Sequence, residues 1–155
     1  MDAPFLSYLD LLRDLGASLD QLSQLAQEKM ASVRQDDLIA LDEVIKQEQA
    51  MSLNLRGLEQ RRLKLMDQME LRGVPLDNLS GHYPKDLQLQ AKHTTQALRR
   101  SYELYRSYAD AARSTLELNL HELDKAIAAS GGAPEGSGMP SGMEPPKNMK
   151  SDFRA

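Results

Sequence analysis

The stretch FLSYLDLLRDLGASLDQLSQLAQEKMASV, residues 5–33, places apolar side chains at alternating steps of three and four. The series is Phe5, Tyr8, Leu12, Leu15, Leu19, Leu22 and Ala26, followed after a slip by Met30 and Val33. This spacing is typical of a heptad seam on an α-helix. The stripe is widened beyond a two-stranded seam by Leu9, Leu11 and Leu25, which indicates a helix packed against two neighbours. Gly16 costs the helix about 1 kcal/mol relative to Ala, but its missing side chain would permit the close approach of another helix.

A second run with the same stepping follows the polar sequence RQDD, residues 34–37. Its members are Leu41, Val44, Glu48, Met51, Leu55, Leu58, Arg62, Leu65 and Met69. Asp36 or Asp37 is suited to cap a helix N-terminus. A hairpin lets the two leucine faces cover each other and is therefore favoured, although no Gly or Pro excludes one continuous helix. The second helix is predicted to run from Asp37 to Arg72 and to stop at Gly73.

A connector and a third periodic run complete the ordered part of the chain. Residues 74–84, VPLDNLSGHYP, carry turn residues at both ends. The third run then comprises Leu87, Ala91, Thr94, Leu98, Tyr102, Tyr105, Ala109, Ala112, Leu116, Asn119, Leu123 and Ala126. We therefore predict an all-α fold, an antiparallel three-helix bundle of long helices with coiled-coil-like packing. It occupies residues 1–130, and a flexible, disordered tail rich in Gly, Pro and Met follows over residues 131–155.

Composition narrows the class of protein. The chain of 155 residues is one domain's length, and its net charge of −4 argues against a nucleic-acid partner. Two pairs of arginines, Arg61 with Arg62 and Arg99 with Arg100, are interleaved with acids in the manner of a solvated helix face. The absence of cysteine excludes disulfides and cysteine-ligated zinc. No secretory signal and no run of about 18 apolar residues is present, so we expect a cytoplasmic protein without membrane insertion.

Catalytic and metal-binding motifs find no support. The histidines, His82, His93 and His121, lack the partners that a site would need, and no serine lies in a GxSxG elbow. The sequence HELDK at His121 resembles the start of a zincin motif, but Lys125 occupies the place of the second ligand. We therefore expect no enzymatic activity, no metal and no cofactor.

Two other groups of residues have structural interpretations. The tyrosines Tyr102, Tyr105 and Tyr108 would suit a stacking platform for bases, but their period of three to four favours packing against the bundle. Glu59 and Arg62 are i,i+3 neighbours of the kind that usually lies on a solvated helix. Neither group requires a function of its own.

The sequence TLELNLHELDKAI, residues 115–127, is apolar on two faces of a helix. One stripe consists of Leu116, Leu120, Leu123 and Ile127. Leu118 lies about 160° around the helix from Leu116, at about 100° per residue. Either the helix is wedged between two neighbours, or one face is open to receive an amphipathic helix from a partner. These five residues are our candidate partner-binding site.

The tail presents a similar choice. Its apolar residues are Met139, Met143, Met149 and Phe153, in a segment unable to bury them by itself. Methionine-rich surfaces can repack around a partner. An inert tail and a binding tail are therefore both left open.

The middle of the chain resembles the FlgN family of flagellar export chaperones. The resemblance runs from Leu41 through Ile45 and then along EQAMSLNLRGLEQRRLKL, residues 48–65. In that family a leucine stretch flanked by Lys or Glu leads into a Leu-Glu-x-x-Arg turn, and the matching positions here are Leu58, Glu59 and Arg62. The sequence GVPLDNL, residues 73–79, is similar to the family's linker. The family tends to place asparagines at intervals along its third helix, and this sequence departs from that pattern, with Asn119 in a stretch that otherwise has Ala112 and Thr115.

Membership would imply a cytoplasmic chaperone for the hook-associated proteins, which join the flagellar hook to its filament. It would imply binding through the C-terminal part of the chain, where residues 116–127 lie, and contact with the type III export apparatus as a further partner. The alternative is a self-assembling coiled-coil adaptor, in which polar seam residues set the register. In an antiparallel pair centred on Leu55, Glu48 of one copy would face Arg62 of the other. The sequence leaves the oligomeric state open.

Overall fold

The computed structural model describes residues 2–131, and this part of the chain is helical without any strand. The elements are α1 (Ala3–Arg34), α2 (Leu38–Gln68), the short α3 (Leu76–Leu79), a 3-10 turn (Ser80–His82) and α4 (Gln88–Ala129). The all-α prediction is confirmed. The expected count of three helices omitted α3, and the predicted tail lies, apart from Gly131, outside the described residues.

Helix α1 is the central element, because it packs along both α2 and α4. The side chains that widened its predicted stripe are all buried: Leu9, Leu11 and Leu25. Its largest fully buried side chains also include Tyr8, Leu12, Leu15 and Leu19. A helix with a neighbour on each side needs this wide apolar arc, as the sequence indicated.

The α1–α2 hairpin turns at Gln35–Asp37, as expected. Asp36 has a left-handed φ of 53°, which Asp tolerates better than most residues. Asp37 caps α2, since its Oδ1 accepts a hydrogen bond from the Ala40 N–H at 3.0 Å. Ser18 accepts a hydrogen bond from Asn54 at 3.1 Å, whereas Lys29, further along α1, pairs with the earlier Glu48. The two helices are therefore antiparallel.

Helix α2 ends at Gln68, before the predicted stop at Gly73. Glu70 takes a left-handed φ of 57°, and its N–H donates to the Asp67 carbonyl. The Leu71 N–H donates to the Met66 carbonyl at 2.9 Å, which completes a helix-ending pair of hydrogen bonds of the Schellman type. Leu71 also packs against the core. The predicted stop at Gly73 was wrong because packing of the partly buried Leu71 against the core favours an earlier end of the helix, and this end does not require glycine.

The connector is pinned to the core by apolar contacts. Leu76, Leu79 and Tyr83 are buried, and the Tyr83 ring meets the Phe5 ring edge-to-face at a centroid distance of 4.9 Å. An ion pair between Asp77 and Arg99 joins the connector to α4. The connector thus carries the chain from the end of α2 to the start of α4 at the end of the molecule where α1 begins.

Helices α1 and α4 run in the same direction. Phe5, at the start of α1, contacts Tyr83, and further along α1 Gly16 faces Leu98 and Ser101. A Cβ at Gly16 would lie 3.9 Å from both Leu98 Cδ1 and Ser101 Oγ, an ordinary van der Waals contact. The prediction that Gly16 serves a close helix approach is therefore wrong, because the neighbouring helix leaves room for a methyl group.

Candidate functional site

Helix α4 has one face that packs against the core over part of its length. Its buried residues are Ala91, Thr95, Leu98, Tyr102, Tyr105 and Ala112. At about 100° per residue they share one side of the helix. Burial of Tyr102 and Tyr105 confirms that the tyrosines pack, and Tyr108 is partly exposed. No residue of α4 from Arg113 to Ala129 is buried by the described chain.

The last residues of α4 are not buried because α1, the helix that packs against α4, is shorter and ends first. Gly16 faces Leu98 and Ser101, and α1 ends at Arg34. Since both helices rise by about 1.5 Å per residue in the same direction, the end of α1 is level with roughly residue 117 of α4. The last dozen residues of α4, on the order of 18 Å, therefore extend past the end of the helix that covers the rest of it.

All five candidate residues lie on this last part of α4. Leu118 and Leu123 are 59% and 52% exposed, and Leu116, Leu120 and Ile127 are partly exposed. Four of the five, all except Leu118, continue the face that is buried earlier in α4, and Leu118 lies on the opposite side. The described chain places no second helix around this stretch, so the wedged-helix interpretation does not apply to it. The assignment of these residues to partner binding remains a prediction.

The charges around these leucines are acidic. Glu117, Glu122 and Asp124 are exposed, and they are the only charged residues between Arg113 and Lys125. An apolar stripe with an acidic border suits an amphipathic segment whose apolar side chains are flanked by bases.

A second exposed apolar patch was missed by the sequence analysis. Leu38 and Ile39, at the tip of the α1–α2 hairpin, are 76% and 85% exposed. They lie at the end of the molecule where α1 stops, the same end at which α4 becomes uncovered. Both residues lie outside the heptad seam that begins at Leu41. Two apolar residues that do not fit the spacing of that seam were the sequence signal that could have revealed this patch.

Glu59 and Arg62 form a buried pair, contrary to the expected solvated one. Their side chains are 7% and 6% exposed, and two hydrogen bonds join them: Arg62 Nε to Glu59 Oε2 at 2.9 Å and Nη2 to Oε1 at 2.7 Å. Burial disfavours the charge of Arg62, but the hydrogen bond to Glu59 and the proximity of Tyr8 raise its pKa above the ordinary value. The prediction failed because Arg62 occupies a seam position facing α1. Its neighbour Arg61 is exposed, as expected.

The other seam charge, Glu48, is also paired within the chain. Its carboxylate lies 2.7 Å from Lys29 Nζ of α1, and both side chains are 9% exposed. A buried charge is tolerated only with such a partner. The two residues that the adaptor alternative would pair between copies, Glu48 and Arg62, thus already have partners in their own chain.

The histidines are scattered over the surface. His82 lies in the 3-10 turn, and His93 and His121 are exposed on α4. Within residues 2–131 no three side chains of the metal-binding types are grouped. Among the described helices none has the length and apolar character to cross a membrane.

Comparison with known protein families gave a match over most of the chain. The family model described as FlgN protein matches residues 6–138, most of the chain. Neither the curated proteins nor the solved structures that were compared gave a significant match.

Proposed function

The chain belongs to the FlgN family of flagellar export chaperones, and from that premise we propose that it binds hook-associated proteins in the cytoplasm before their export. In this proposal the three long helices act as one bundle, in which α2 runs antiparallel to α1 and α4, and the uncovered end of α4 receives an amphipathic terminal segment of the cargo. Family membership supports, as a further part of this proposal, delivery of the cargo to the type III export apparatus. The role requires no catalytic chemistry.

One observation carries the proposal. The apolar face of α4 continues as Leu116 beside the end of α1 and as Leu120, Leu123 and Ile127 beyond it, and Leu123 is 52% exposed. Residues spaced at i, i+4, i+7 and i+11 are the anchors expected when one helix packs lengthwise against another. The bundle thus presents a prolonged core face for which the described chain supplies no partner helix.

The energetics suit a complex that must later come apart. Complete burial of a leucine contributes about 1.5–3 kcal/mol relative to full exposure. Three of these four side chains are already partly buried, so cargo binding recovers only a fraction of that for each. Association also costs at least about 4 kcal/mol in lost translational and rotational freedom. A reversible complex is therefore expected, as a chaperone that releases its cargo needs.

A double substitution tests the surface. Leu120→Asp with Leu123→Asp should weaken binding of a C-terminal segment of a hook-associated protein at least about tenfold, equal to about 1.4 kcal/mol. The melting temperature should change little, because both positions lie beyond the buried part of α4. Isothermal titration calorimetry and thermal melting measure the two quantities.

The matched control places two aspartates at other exposed leucines. Leu53 and Leu89 are 66% and 67% exposed, and they lie on α2 and at the start of α4. Leu53→Asp with Leu89→Asp should leave cargo affinity unchanged. If the folded Leu120/Leu123 variant binds as tightly as the parent chain, these leucines do not form the site.

Light scattering separates the chaperone from the adaptor. Molar mass is measured for the chain alone and after addition of the hook-associated segment. The chaperone proposal expects a complex that includes the segment. A stable homo-oligomer that ignores the segment would instead support the adaptor.

A further inference from the structure

The uncovered face of α4 has a second candidate occupant within the same polypeptide. We propose that residues 147–155, KNMKSDFRA, bind the exposed leucines of α4 when no cargo is present and compete with cargo for them. The competition rests on the proposed function, because it assumes that cargo uses this surface. The contact between this segment and α4 of the same chain does not depend on the proposed function.

Charge favours this segment. It contains Lys147, Lys150 and Arg154 against the single acid Asp152, a net charge of +2. The exposed acids that border the leucines are Glu117, Glu122 and Asp124, and together with Lys125 they give residues 116–127 a net charge of −2. Opposite charges at the border of an apolar contact select the partner and its orientation.

The apolar side chains of the segment also fit. Met149 and Phe153 stand four residues apart, a spacing that places two side chains on one side of a helical turn. Methionine adapts to irregular apolar surfaces, and phenylalanine offers a large area for burial. Leu123, which is 52% exposed and lies on the face that is buried earlier in α4, is the side chain with most to gain from that cover.

The connecting chain is long enough. Met149 lies eighteen positions after Gly131, and at full extension that length of chain would span on the order of 60 Å. The path back along α4 from Gly131 to Leu118 is only about 20 Å. Tethering of this kind gives an effective concentration in the millimolar range, so even a contact with a dissociation constant of about 1 mM would be formed roughly half of the time.

The preceding part of the same tail provides an internal contrast. Residues 132–144 carry two apolar methionines, Met139 and Met143, but their charged residues are Glu135 and Glu144. Their net charge of −2 opposes contact with the acidic border on α4. Charge therefore distinguishes the proposed segment from a neighbouring segment of the same tail.

Hydrogen exchange on the full chain tests the contact. Met149→Ser with Phe153→Ser should speed the amide exchange of residues 116–127 by about twofold, the factor expected when a contact formed about half of the time is lost. The control, Met139→Ser with Met143→Ser, removes two methionines from the same tail and should leave that exchange unchanged. Equal exchange in all three chains, or an equal rise in both variants, would overturn the proposal.

The same measurement at two protein concentrations identifies whose segment is bound. Protection that is independent of concentration is expected for contact within one chain. Protection that grows with concentration, together with a rising molar mass, would assign the contact to a second copy and overturn the intramolecular proposal.

The affinity for cargo tests whether the tail segment and the cargo compete for the same surface. The Met149/Phe153 variant should bind the hook-associated segment about twofold more tightly, because the competitor no longer occupies the surface for part of the time. Unchanged affinity alongside faster exchange would retain the contact and overturn the competition. If no chain binds the hook-associated segment, the proposed function fails, while the exchange result still decides the intramolecular contact.

Discussion

The two parts of α4 share one pattern and differ in what covers them. From Gln88 to Ala112 the apolar face packs against α1, whereas from Arg113 to Ala129 the same face is partly or largely exposed. The difference arises from length, since α4 has 42 residues and α1 has 32. Periodicity therefore identifies the apolar face of a helix, and the length of its neighbour decides how much of that face becomes core.

The largest difference in stability between the covered and uncovered parts of the molecule is expected when a charged residue is neutralised. Glu59→Gln leaves Arg62 buried without its carboxylate and should lower the free energy of unfolding by about 3–5 kcal/mol. Glu122→Gln, at an exposed position on the uncovered end of α4, should change it by less than about 0.5 kcal/mol. Urea unfolding followed by circular dichroism gives both values. Similar losses in the two variants would contradict the division of the molecule into covered and uncovered parts.

The next contrast concerns leucines on the same face of α4. Leu98 is 3% exposed, and Leu98→Ala should cost about 2–5 kcal/mol through lost burial and a cavity. Leu123→Ala should cost less than about 1 kcal/mol, because its side chain is already half exposed. Denaturant unfolding of the two variants is the measurement. A large loss for Leu123→Ala would mean that the free protein covers this end of α4.

Tyr83 tests the packing of the connector. Among the described residues its buried hydroxyl has no hydrogen-bond partner, and such a group costs about 1–3 kcal/mol. Tyr83→Phe keeps the ring contact with Phe5 and should raise stability by about 1 kcal/mol at neutral pH. Tyr108→Phe, at a partly exposed tyrosine, serves as the control, and thermal melting reports both. A destabilised Tyr83→Phe would show that the hydroxyl is bonded.

The same residue predicts a pH dependence. Burial raises the pKa of Tyr83, and the proximity of Tyr8 adds to the shift. An unfolded tyrosine titrates near pH 10, so the neutral buried side chain favours folding below that pH, and this contribution is lost as pH rises above it. Chemical unfolding between pH 8 and about pH 11 should therefore show a steeper loss for the parent chain than for Tyr83→Phe. Equal slopes would contradict the effect of burial.

The smallest expected effect is at Gly16. A methyl group there meets only ordinary contacts with Leu98 and Ser101, so Gly16→Ala should stabilise by about 0.5–1 kcal/mol through helix propensity. Gly57→Ala, on α2, is the control. No atom lies within 4 Å of the added carbon, so this variant measures the stability gained from helix propensity alone. Melting temperatures compare the two. Destabilisation by Gly16→Ala alone would mean that α1 and α4 approach more closely in solution.

Sequence patterns predicted the helical class, the stripe on α1, the hairpin and a cap at Asp36 or Asp37, of which the structure uses Asp37, because each depends on local spacing or on one side chain. The burial of Glu59 with Arg62 was not predictable in this way, since it depends on Tyr8 lying opposite on another helix. The early end of α2 was missed because Leu71, a tertiary contact, outweighed the glycine signal. For residues 116–127 the two apolar faces were visible in sequence, but their exposure depends on where α1 stops.

The route of the chain from α2 to α4 has a consequence for the order of folding. Helices α1 and α2 meet across a turn of three residues, whereas α1 and α4 meet only after a loop on the order of 80 residues has closed, which is entropically more costly. During synthesis, the hairpin can therefore form while α4 is still unfinished, and α4 docks last. The leucine-rich end of α4 is thus synthesised after α1 and α2, so the hairpin against which α4 packs can be in place before these leucines emerge.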